Sequence, residues 1–70
     1  MVSEKRLKEW LNSDELFING NFKLRMYNGF YHIQADNGNN MITEKTAGKT
    51  WECWNYFKSG YRYGKYNILC

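Results

Sequence analysis

Proline is absent from this chain, and histidine and cysteine are nearly so: one histidine and two cysteines stand among 70 residues. Without proline, and without any low-complexity run, there is no rigid or flexible linker to separate domains, so residues 1–70 read as a single domain. Two cysteines give neither the dense disulfide framework of small secreted domains nor the paired spacing of a zinc site. Cys53 and Cys70 are therefore expected to be free thiols in a reducing compartment.

The scarcity of histidine limits chemistry. His32 has no serine, cysteine or paired carboxylate in an arrangement that predicts a catalytic geometry. The chain is expected to be non-enzymatic and to need neither cofactor nor metal. Gly48-Lys49-Thr50 resembles the end of a phosphate-binding loop, but the first glycine of that motif would fall on Thr43. Asp36, Asn37, Gly38, Asn39 and Asn40 share only composition with a calcium loop and read as a turn.

Long apolar runs are missing too. Nothing approaches the roughly 20 residues of a membrane span, and the charged opening MVSEKRLKEWLNSDE has no signal-peptide core. A cytoplasmic protein with no membrane partner is expected.

What is present is ring and positive charge. Aromatics make up 19% of the residues, too many for a disordered chain. The formal net charge is +3, unevenly placed. Residues 1–15 carry three bases against four acids, net −1, and residues 16–70 carry seven against three, net +4. The basic excess lies with the aromatics, which points to a polyanionic partner.

Ser3 is a helix cap, followed by Leu7, Trp10 and Leu11 at helical spacing, so residues 3–12 are expected to form a short amphipathic helix. Beyond it, glycines at 20, 29, 38, 48 and 60 fall at the spacing of a β-meander, three of them in Asn-Gly pairs. Asn28-Gly29 suits a type I′ turn, whose two central residues both need positive φ. That turn opposes Tyr27 to Phe30, Met26 to Tyr31, Leu24 to Ile33 and Phe22 to Ala35. The last three pairs form an apolar face, while Lys23, Arg25, Tyr27, Phe30, His32 and Gln34 form the other.

The stretch YFKSGYRYGKY at 56–66 admits two readings. With a turn at Ser59-Gly60, Trp51, Cys53, Tyr66 and Ile68 face inward and Trp54, Tyr56, Lys58, Tyr61, Tyr63 and Lys65 form a polar-aromatic stripe. Alternatively, Trp51, Trp54 and Phe57 fit helical spacing with Gly60 as a stop, in which case the stripe vanishes and most of these rings become core. The strand preference of threonine, tryptophan, cysteine, tyrosine and phenylalanine favours the hairpin.

The expected fold is then mainly β: a short N-terminal helix on an antiparallel meander of about five or six strands, spanning roughly 15–69 and curled into a small barrel or half-barrel. Its two ring-and-base stripes, Lys23, Arg25, Tyr27, Phe30 and His32 on one hairpin and Trp54, Tyr56, Lys58, Tyr61, Tyr63 and Lys65 on the other, match what binds single-stranded nucleic acid or RNA, where bases stack on rings and bases of the protein follow phosphates. The same rings would also serve a protein-binding inhibitor or regulator. A single stripe could instead be the floor under the helix, but one helix cannot cover both.

Overall fold

The structure, a computed structural model, describes residues 1–60 in full and the backbone of residues 61–62. The elements run α1 (Glu4–Asn12), α2 (Glu15–Asn19), β1 (Lys23–Tyr27), β2 (Phe30–Gln34), β3 (Asn40–Glu44) and α3 (Ala47–Arg62). Each helix starts at a side-chain cap. The Ser3 hydroxyl accepts from the Arg6 N–H at 3.1 Å, the Asp14 carboxylate from the Phe17 N–H at 3.0 Å, and the Thr46 hydroxyl from the Lys49 N–H at 3.1 Å.

The strands form one antiparallel sheet in the order β1-β2-β3. Asn28 and Gly29 both have positive φ, 52° and 78°, as a type I′ turn requires. The turn holds the register Lys23↔Gln34, Leu24↔Ile33, Arg25↔His32, Met26↔Tyr31 and Tyr27↔Phe30, which is the register that sequence alternation predicts. On the other side, β2 pairs with β3 as Tyr31↔Glu44, His32↔Thr43 and Ile33↔Ile42; a bulge then shifts Gln34 opposite Asn40.

All three helices lie on one face of this sheet. Ile33 and Ile42 supply its buried floor, and Leu7 and Leu11 of α1, Phe17 of α2, and Ala47, Cys53, Trp54 and Phe57 of α3 close over them. An aromatic knot sits at the centre. Trp54 meets Phe17, Phe22 and Phe57 at ring separations of 5.5, 5.1 and 5.4 Å, and Trp10 of α1 leans on Trp51 of α3 at 5.1 Å. Such pairs stabilise by about 0.5–1.5 kcal/mol each beyond their buried area.

The meander of five or six strands is thus corrected to three strands and three helices among the described residues, an α+β domain rather than a barrel or half-barrel. Two segments account for the difference. Residues 15–19 form a helical turn, and Asn19-Gly20 ends it instead of opening a hairpin. Gly20 is demanded by close approach: a Cβ there would stand 2.5 Å from the Phe22 ring. Residues 47–62 form α3 rather than a hairpin strand because Ala47, Thr50, Trp54 and Phe57, spaced at helical period, are all buried on one side. Local strand preference yields to that burial, since a helix covers more of the sheet than another strand at its edge. Cys53 is buried and disulfide-bonded, against the expectation of free thiols, and Cys70 lies outside the described residues. Among the described residues no helix is long and apolar enough to cross a membrane.

Candidate nucleic-acid interface

The sheet has one face under the helices and one face without a covering element among the described residues. Strand alternation sends Leu24, Ile33 and Ile42 to the first and Lys23, Arg25, Tyr27, Phe30, His32, Gln34 and Thr43 to the second. The open face is zoned along the strands. At the hairpin end, Tyr27 and Phe30 stand opposite each other, Tyr27 being 68% exposed. In the middle, Arg25, His32 and Thr43 form a row across all three strands. At the far end, the Gln34 amide donates to the Asn40 side-chain oxygen at 2.9 Å, beside Lys23.

His32 joins the zones. Its ring lies 6.1 Å from that of Tyr27 and 6.5 Å from that of Phe30. Nδ1 is 3.1 Å from the Thr43 hydroxyl, whereas Nε2 is shielded from solvent and has no hydrogen-bond partner. An unmet polar atom of this kind costs about 1–3 kcal/mol. Lys45, just beyond β3, places its ammonium 5.8 Å from the centre of the Phe30 ring. Among the described residues neither Lys23, Arg25 nor Lys45 is ion-paired, so three cations and three rings share a face that bears no carboxylate of its own.

The first predicted stripe therefore sits together on one surface. Sequence reasoning missed Thr43 and Lys45, although both follow from alternation about Ile42 once β3 is paired to β2. The described members of the second predicted stripe, Trp54, Tyr56 and Lys58, do not share a face. Trp54 is fully buried in the core, while Tyr56 is 69% exposed on the outer side of α3. Lys58 is turned to α2, where its ammonium is 2.7 Å from the Asp14 carboxylate and 5.9 Å from the Trp51 ring centre. On a helix, residues two apart point in different directions, which is why alternation at 54, 56 and 58 builds no common face. The side chain of Tyr61, together with Tyr63 and Lys65, lies outside the described residues.

Asp14 itself serves the fold. Burial pushes its carboxyl up, but hydrogen bonds from Lys58 and from the Phe17 N–H, the nearby Trp54 indole and the Lys58 charge outweigh burial and hold it below its ordinary value of 3.8. The indole N–H falls short of a well-aligned hydrogen bond. One carboxylate so caps α2, anchors α3 and touches the central ring of the core.

Around the edge of β1 lies a cleft of about 400 Å³ between that strand and the last turn of α1. Lys23 and Arg25 line it as well as the open face. Among the described residues no group of histidine, cysteine and acidic side chains converges as a metal site would require. Comparison with protein-family models, with curated proteins and with solved structures finds no match to this chain.

Proposed function

We propose that this protein is a non-enzymatic binding module that holds single-stranded nucleic acid, RNA in particular, on its open sheet face. One observation carries the reading: Tyr27, Phe30 and His32 cluster on the same face as Lys23, Arg25 and Lys45, a face that no element among the described residues covers, with no carboxylate among them. Bases stack on such rings regardless of their identity, and the cations take the phosphates. Lys45 rides on Phe30, so a base arriving at that ring meets a charge beside it. The exposed Gln34–Asn40 amide pair offers polar contacts to base edges or ribose hydroxyls.

A protein-binding inhibitor or regulator remains the second reading, favoured by one feature: Tyr56 is largely exposed on α3, away from the basic face. Lysine is depleted at protein interfaces, which sets the open face apart from that reading.

The test is anisotropy of a labelled single-stranded RNA titrated with the protein across a salt series. Quenching of tryptophan is the poorer reporter, because Trp10, Trp51 and Trp54 all pack on the helical side. Three phosphate contacts predict that log K falls against log salt with a slope of about −2. Tyr27→Ala should weaken binding roughly 5- to 150-fold, the equivalent of one lost base stack. Absence of binding at low salt rejects the nucleic-acid reading.

A further inference from the structure

The cleft beside β1 has two kinds of wall. Leu11, Phe17, Phe22 and Leu24 are apolar, and the basic residues Lys8, Lys23 and Arg25 also line it. Among the described residues no acidic side chain lines it. Lys8 is 3.0 Å from Glu4, but that pair is exposed on both sides and holds Lys8 only weakly. Its volume falls within the roughly 300–1,000 Å³ of small-ligand sites. A ligand that fits must carry a flat apolar part and an anion at once.

We infer that this cleft takes a nucleoside 5′-monophosphate unit, with the base against Phe22 and Leu24 and the phosphate on Lys23 and Arg25. The inference rests on the nucleic-acid reading of the open face and deepens it: because Lys23 and Arg25 belong to both surfaces, a strand lying on the sheet turns over the edge of β1 and lodges one nucleotide behind it. The orientation follows from α1. Asn12 is its last residue, so the negative end of the helix faces the cleft and repels a phosphate there, while its carbonyls and the Asn12 amide accept and donate to a base edge. An acidic peptide adding as a strand to β1 is the competing occupant. The lysine and arginine along that edge discourage strand addition, and such a peptide makes no use of the aromatic wall.

The experiment titrates the full ¹⁵N-labelled chain with uridine and adenosine 5′-monophosphates, and with ribose 5-phosphate as a probe that lacks the base. Saturable shifts at the amides of Leu11, Asn12, Phe22 and Leu24 are expected with both nucleotides. Ribose 5-phosphate should bind roughly 5-fold or more weakly, as if one base contact were lost. Lys8→Glu should weaken the nucleotides, and Lys49→Glu, the same charge reversal on the exposed side of α3 and outside the cleft lining, should leave them unchanged. Equal binding of ribose 5-phosphate, shifts confined to the open face, or displacement of the nucleotide by hexaglutamate would overturn the inference. If single-stranded RNA binds the open face while neither nucleotide moves the cleft signals, the cleft assignment fails and the surface reading stands. If the nucleotides bind the cleft and the RNA does not bind at all, the surface reading fails and the cleft site stands alone.

Discussion

The two faces of the sheet are built from the same three strands and do opposite work. Beneath the helices, Leu24, Ile33 and Ile42 meet an aromatic core whose members are mostly shut from solvent. On the other side, rings of similar size stand among cations and remain partly or largely open. A ring therefore has no fixed role in this chain: Trp54 and Tyr27 differ in what covers them, and the cover is a helix. In a domain this small there is little core to spare, and the helical face holds it.

That contrast can be broken from either side. Trp54→Ala should have the largest effect, about 3–5 kcal/mol, because it empties the centre of the ring cluster. Denaturant unfolding would show it as a greatly lowered midpoint, and Trp54→Phe should recover part of the loss. Next comes Asp14→Ala, which removes a helix cap and a largely buried ion pair for about 2–3 kcal/mol.

Asp14 also sharpens the account through pH. Its folded-state pKa is depressed, so its contribution is fully present above the unfolded carboxyl value of about 4 and is lost as pH falls through the folded value. Unfolding midpoints measured from pH 6 downward should fall more steeply in the native chain than in Asp14→Asn, which keeps a capping oxygen but no charge. Parallel acid limbs would show that Asp14 makes no such contribution.

Gly29→Ala is expected to cost about 1 kcal/mol, because Gly29 holds a φ of 78° in a turn with open space around it. The smallest effect on stability belongs to Tyr27→Ala on the open face, under about 1 kcal/mol. Thermal unfolding of these two variants places the turn between the two faces in rank. A Tyr27→Ala loss comparable to that of Trp54→Ala would erase the distinction between them.

The parts of this fold that sequence reveals are those where two local signals coincide. At Asn28-Gly29, turn chemistry and alternation both select one register, and its pairs from Tyr27↔Phe30 to Lys23↔Gln34 are found, whereas Phe22 and Ala35 fall outside the strands and bond to Phe17 and Asn39 instead. At Ser3, a cap and the spacing of Leu7 and Leu11 agree on α1. In residues 47–62 the signals conflict. The residue types prefer strand, while the spacing of Ala47, Trp54 and Phe57 and the cap at Thr46 prefer helix. The deciding term is tertiary: a sheet with one apolar face needs more cover than α1 supplies, and α3 supplies it. The same conflict divides the candidate site. Lys23, Arg25, Tyr27, Phe30 and His32 were legible because their strand register was. The cleft at Lys8 and Asn12 was not, since it depends on how α1 settles beside β1, which no local pattern encodes.

The most direct test of the division between faces is amide shift mapping of the ¹⁵N-labelled chain with a short single-stranded RNA. Perturbations concentrated at Arg25, Tyr27, Phe30, His32, Thr43 and Lys45, with α3 quiet, are the predicted result. Perturbations centred on Tyr56 and the outer side of α3, with the sheet quiet, would contradict it.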